Sequence, residues 1–253
     1  MVNDPETFVI LFTAALFAGF VDAIAGGGGL IALPALLAVG VPPQIALGTN
    51  KFQGTFGSIT AAVYYWRKGI VDLRKARTGI LFTFAGAAAG AWAVQQVSPE
   101  FLNTLIPLLL FCIAVYTIVT PALGRSDAPP KMGVTPFYAL FGVLLGFYDG
   151  FFGPGVGSFW AIALMVMLGM EIQKATGYTK VMNFSSNIIA IVIFIAGGSV
   201  WFVHGFVMAA GQVVGAQFGA RWAVKKGIAI IKPLYITVVL ATVLKLLYNR
   251  FFV

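Results

Sequence analysis

Gly19-Phe20-Val21-Asp22-Ala23-Ile24-Ala25-Gly26-Gly27-Gly28-Gly29 is an apolar stretch that carries one carboxylate and ends in four consecutive glycines. Its echo lies in the second half of the chain: Gly146-Phe147-Tyr148-Asp149-Gly150-Phe151-Phe152-Gly153-Pro154-Gly155. Glycine and proline at this density end a helix, because glycine loses the most backbone entropy and proline lacks the amide donor. About 25 residues beyond each block comes a lysine set among polar residues, in Asn50-Lys51-Phe52-Gln53 and in Lys180-Val181-Met182-Asn183. An apolar unit that occurs twice, interrupted in corresponding places, is the pattern of a membrane carrier with its site at the repeat interface.

Composition agrees with a chain solvated by lipid. Hydrophobic residues make up 60% and charged residues 9%, with a mean hydropathy of +0.95, whereas a soluble domain carries roughly 25% charged residues. Backbone polar groups in lipid must be satisfied within the segment, so the fold class is all-α and polytopic. A single cysteine, Cys112, excludes an intrachain disulfide and a cysteine-built metal site, and a single histidine, His204, argues against a histidine-built one. No cofactor or metal is expected. His204 follows Trp201 and Phe202 and reads as an interface residue. The net charge of +8 sits mostly in loops and requires no nucleic-acid partner. Asp4 and Glu6 precede the first apolar run, unlike a cleaved signal peptide.

A membrane span needs about 20 apolar residues. Spans are predicted near 44–65, 79–96, 102–121, 180–196, 205–221 and 233–250. Two further units, 8–39 and 135–169, are broken by their glycines into a long and a short arm. The short arms, 30–39 and 158–169, would be only ~15–18 Å long at 1.5 Å per residue. Gly86 and Gly90 match Gly211 and Gly215, small-xxx-small pairs that let helices approach closely, and Pro107 matches Pro233. The resulting domains are a first repeat, 1–124, a cytoplasmic linker, 125–134, and a second repeat, 135–253.

Charge relates the halves. Loop 67–77 holds Arg67, Lys68, Arg74, Lys75 and Arg77, while its counterpart 197–204 has no lysine or arginine. Loop 97–101 has none, while its counterpart 221–232 holds Arg221, Lys225, Lys226 and Lys232. Basic loops stay cytoplasmic, so matching loops fall on opposite sides and the repeat is inverted, with both termini periplasmic. Lys245 and Arg250 lean mildly against this. Each half would hold three spans plus a broken helical hairpin. Tyr64-Tyr65-Trp66 beside Arg67 and Lys68 reads as an interfacial belt.

The stretches 19–29 and 146–155, with Gly48-Thr49-Asn50-Lys51, resemble the TauE/SafE family of bacterial inner-membrane permeases over essentially the whole length. The resemblance implies transport of small sulfur-containing anions such as sulfite or sulfonates, and does not name the ion.

The chemistry of the motifs points the same way. Helix N-termini that end inside the bilayer present free amides and partial positive charge to an anion. Gly27, Gly28 and Gly29 in one half, and Gly153, Gly155, Gly157 and Ser158 in the other, are the candidate cradle. Asn50, Gln53, Gly54 and Gly57 share a helix face, as do Lys180, Asn183 and Asn187. A polar face on an apolar helix looks into a cavity, and a lysine there is functional by default, so Lys51 and Lys180 are expected to supply positive charge to one central site. Asp22 and Asp149, each four residues before a break, are either proton carriers or, more simply, counter-ions to the lysines or caps on the broken backbone.

The reading is a transporter of a small anion working by alternating access, with a small anionic substrate and membrane lipid as its partners. Transport of another oxyanion or carboxylate, or a passive channel, are the alternatives. An intramembrane lipid-modifying enzyme would need a catalytic dyad or metal cluster, for which one histidine and one cysteine offer little. Sequence does not read out the oligomeric state.

Overall fold

A computed structural model describes residues 4–119 and 129–226, all of whose regular elements are helical. The expected span 233–250, Pro233, Lys232, the C-terminus and residues 125–128 of the linker lie outside them. The helices are α1 (Pro5–Ala25), α2 (Gly29–Ala38), α3 (Pro43–Arg67), α4 (Leu73–Gln95), α5 (Pro99–Val119), α6 (Val134–Phe151, with a π-helical turn at Tyr138–Gly142), α7 (Val156–Leu168), α8 (Ile172–Ala196) and α9 (Phe202–Lys226). α1, α4, α6 and α8 are long and apolar enough to cross a bilayer by length and composition. Leu81, Trp92, Val203 and Phe218 are among the large apolar side chains left exposed on the outside. Such a surface is stable against lipid, not water.

The two breaks fall where the glycines predicted them. α1 ends in Gly26 at φ +77°, and the corresponding Gly153 lies at φ +97°. α2 and α7 then begin as short arms of 10 and 13 residues. At 1.5 Å per residue they are ~15 and ~20 Å long, short of a ~30 Å hydrocarbon core. Two starts differ: α4 begins at Leu73, not near residue 79, capped by Asp72, and α8 begins at Ile172, not near residue 180. The polar run from Gln173 to Thr179 continues the helix because Ala175, Thr176, Tyr178 and Thr179 are buried against neighbouring helices. Lys51 and Lys180 are consequently each the ninth residue of their helix.

Each half's first helix packs on the other half's fourth. A Cβ on Gly86 or Gly90 of α4 would collide with the backbone of Val143 or Phe147 on α6. On α9, Gly215 and Gly219 stand against Leu16 and Phe20 of α1 in the same way. The reciprocal contacts match: a Cβ on Gly146 would lie 2.5 Å from the Thr83 oxygen, and one on Gly19 2.5 Å from the Gln212 oxygen. The glycines that play matching parts are therefore Gly86 with Gly215 and Gly90 with Gly219, one turn from the pairing of Gly86 with Gly211 read in the sequence. In both seams residue numbers rise together, so the paired helices run parallel. α3 and its counterpart α8 lie side by side in opposite directions, with Gly48 near Phe194, Gly54 near Asn187 and Tyr65 near Gly177.

Two aromatic expectations change. Tyr65 is buried and donates its hydroxyl to the Ala23 carbonyl at 3.0 Å, while its neighbour Trp66 is exposed. His204 is buried between the rings of Phe8 and Trp201, with centroids at 5.2 and 5.1 Å. Cys112 is exposed on α5.

Candidate functional site

The two glycine breaks meet back to back. A Cβ on Gly26 would stand 2.5 Å from the Gly157 backbone, and one on Gly157 2.5 Å from Gly26 Cα. Only side-chain-free residues allow this approach, and it brings the starts of α2 and α7 to one place. A cavity of about 50 Å³ opens beside them. Its wall combines the breaks (Gly26, Gly28, Gly29, Gly153, Gly155, Val156 and Gly157) with the polar faces of α3 and α8 (Asn50, Lys51, Gln53, Gly54, Asn183 and Asn187). Asp22, Asp149 and Gln212 complete it.

Twelve of the fifteen candidate site residues thus share one cavity, together with Gly54 of the polar face read on α3. Three do not line it. Gly27 lies within the break itself, with its carbonyl accepting from Leu30 N at 3.0 Å. Ser158 donates its hydroxyl to the Ala25 carbonyl at 3.1 Å and ties α7 to the end of α1. Lys180 is wholly buried and bonds to Asp22. Gly26, Val156 and Gln212 were missed. Gln212 is one of two amides in α9, with Gln217, and its counterpart by the seam contacts is Thr83, so duplication gave no signal for it. A polar residue at helical spacing with Gly215 and Gly219 was the clue available.

The charges pair across the halves. Lys51 Nζ on α3 bonds Asp149 Oδ1 on α6, with side chains only 3% and 4% exposed. Lys180 Nζ on α8 lies 3.0 Å from Asp22 Oδ2 on α1, and the Asp22 side chain is 21% exposed. Asp149 also accepts from the Ser186 hydroxyl through its second oxygen. Among the described residues the second oxygen of Asp22 accepts only from the Gly28 amide, at 3.3 Å. Ser186 is matched in the repeat by Gly57, which brings no hydroxyl. Both pairs reach the cavity wall, but they differ in kind: Lys51–Asp149 is almost wholly buried and its carboxylate doubly held, while the Asp22 carboxylate is the more open of the two.

This arrangement alters the simple picture of two free lysines. Each lysine already has a carboxylate partner, and the Gly28 amide is spent on Asp22. Among the described residues, the amides of Gly29 and Gly157 at the first turns of α2 and α7 find no protein acceptor. Gln53 donates to Asn50 Oδ1 at 2.9 Å, and its own Oε1 stays without a partner, as does Asn183 Oδ1. Buried polar atoms left open beside a cavity point to a ligand or water that completes them. Among the described residues no group of histidine, cysteine and acidic side chains could hold a metal ion.

Broken helices that meet around a small polar chamber, inside a helical shell with an apolar exterior, define a membrane transporter. The chain belongs to the TauE/SafE family, whose description is Sulfite exporter TauE/SafE and whose match runs over residues 11–246. It is 43% identical to the probable membrane transporter protein YfcA of Escherichia coli strain K12 over 97% of this chain and 91% of that one. A probable membrane transporter protein of Haemophilus influenzae is 40% identical over 97% of this chain and 96% of its own length. Probable membrane transporter protein ORF9 of a Sinorhizobium species is 44% identical over 94% and 91%. No solved structure matches the chain.

Proposed function

We propose that this protein carries a small sulfur oxyanion, sulfite or an organosulfonate, across the bacterial inner membrane by alternating access. The observation that carries the reading is the cavity where the two breaks meet, with the open amides of Gly29 and Gly157 at the starts of α2 and α7. Helix N-termini of this kind favour anions. A water needs about 10–15 Å³ of such volume, so 50 Å³ suits an ion of roughly three to five heavy atoms. A sulfite or a small sulfonate headgroup is of that size, and the family description names sulfite.

The same reading places the repeats in inverted orientation, with 1–124 and 135–253 joined by a cytoplasmic linker and both termini periplasmic. Support comes from the basic loops and from α3 and α8, which occupy matching places and run antiparallel.

The test is a thermal-shift screen of purified protein against sulfite, sulfate, thiosulfate, sulfonates and small carboxylates. A ligand at 100 times its Kd stabilises by about 2.7 kcal/mol. Stabilisation by sulfite or a sulfonate is expected. Stabilisation by a carboxylate alone would overturn the substrate class.

A further inference from the structure

We propose that Asp22 is a proton site, and that one proton on its carboxylate accompanies each anion bound. The inference rests on the anion reading above and adds the coupling ion to it.

The argument is a charge balance. The cavity and its immediate backing hold two lysines and two aspartates, joined as Lys51–Asp149 and Lys180–Asp22. Both pairs are neutral as units, so among the described residues the site has no spare cation for an incoming anion. Lys180 does not line the cavity and is 0% exposed; it reaches the chamber only through Asp22, whose carboxylate borders the space the anion would fill. An anion entering beside ionised Asp22 meets a like charge in a partly desolvated place, which is costly. A proton from cavity water placed on an Asp22 oxygen removes that charge. Lys180 keeps its own proton and becomes the unpaired cation that compensates the anion. One proton and one anion enter together, and the net charge of the site stays unchanged.

Asp149 is not equivalent. It also stands in the cavity wall, but both its oxygens are occupied, by Lys51 and by Ser186, and its side chain is only 4% exposed against 21% for Asp22. Asp22 lacks the hydroxyl, because Gly57 stands where the repeat has Ser186, and its remaining oxygen has only the longer bond from Gly28. Among the described residues the surroundings of Asp22 offer no competing titratable partner. α8 contributes Lys180, and α3 contributes Tyr65, whose hydroxyl is committed to Ala23 O, and Lys51, which is held by Asp149. α9 brings the neutral Gln212 to the same wall, and α7 brings Ser158, bonded to Ala25 O. Transport on this scheme is electroneutral for a monovalent anion, so a pH gradient drives it and a membrane potential does not.

Purified protein in weak buffer with a pH indicator is titrated with methanesulfonate, whose charge is constant near neutrality, and with sulfite, corrected by the same titration without protein. The expected result is uptake of one proton per anion bound, with affinity for methanesulfonate falling about tenfold per pH unit on the alkaline side. In Asp22→Asn the proton count falls to zero and the affinity becomes flat with pH. Binding by the wild type without proton uptake overturns the coupling and leaves the anion reading standing. Binding by neither probe overturns the anion reading, and this inference with it. The wild-type count decides the question even if the variant does not fold, and a purely structural Asp22 would move stability without moving the count.

Discussion

Replacing Lys51 with methionine should cost more stability than replacing Lys180, although the two lysines occupy the same position in their helices. Lys51→Met leaves Asp149 with one hydroxyl partner at 4% exposure. Removing one partner of a buried pair costs about 3–5 kcal/mol, because the orphaned charge has nowhere to be solvated. Lys180→Met leaves Asp22 at 21% exposure beside a cavity that admits water, with the Gly28 amide still in place. A partly hydrated orphan costs less, about 1–3 kcal/mol. The double variant Lys51→Met with Asp149→Asn removes the stranded charge and should recover much of the loss of Lys51→Met alone. The comparison is made by reversible unfolding in mixed non-ionic and anionic detergent micelles, with tryptophan fluorescence as the signal. A larger loss for Lys180→Met, or strict additivity in the Lys51–Asp149 cycle, would refute the assignment of a sealed and an open pair.

The seam glycines should be intolerant: Gly86→Ala and Gly215→Ala push a methyl into the Val143 and Leu16 carbonyls and should each cost about 1–3 kcal/mol, whereas Gly133→Ala, with Pro136 side-chain atoms at 3.4 Å, should be silent in the same unfolding assay. In a Cys112→Ser background, Ala196→Cys should react with an impermeant maleimide from outside the cell, and Lys68→Cys and Lys225→Cys only after permeabilisation; labelling of positions 196 and 225 from one side would refute the inverted arrangement. Gln212→Glu adds a negative charge to the cavity wall and should weaken anion affinity at least tenfold, while Gln212→Asn should keep most of it. Equal affinities in a binding titration would remove Gln212 from the site.

The breaks, the lysines and the polar faces were legible in the sequence because each is a local departure from an apolar background. A glycine run or a lysine inside a span stands out whatever it contacts. Partner choice was not legible. Lys51 and Asp149 are 98 residues apart and Lys180 and Asp22 are 158 apart, and four charges of two signs allow more than one pairing. The register of the seam was missed by four residues for a related reason: a small residue every fourth position looks the same after a slip of one turn, and only the backbone contacts of Gly86 and Gly215 fix it. The start of α8 was missed because a polar run such as Gln173 to Thr179 reads as a loop until neighbouring helices bury it. Nor did the sequence show how tightly the break glycines are packed: a side chain at Gly28 would meet the Ala18 oxygen at 2.7 Å, and one at Gly155, at φ +83°, would meet Ile113 at 2.5 Å.

The exchange of first helices between the halves also imposes an order on synthesis. α6 emerges after its partner α4 and docks on a surface already waiting in the membrane. α1 emerges first, while its partner α9 lies nearly two hundred residues downstream. At ribosomal rates of about 5–20 residues per second, α1 must wait ~10–40 s for α9, with only the short α2 and the facing end of α3 to pack against meanwhile. It has the means to do so: its mean hydropathy of 2.3 is well above the 1.3 of α6, the helix that plays the matching part in the second half. Equivalent positions in the finished molecule thus carry different compositions, because one helix must be at home in the bilayer before its main partner exists and the other never has to be.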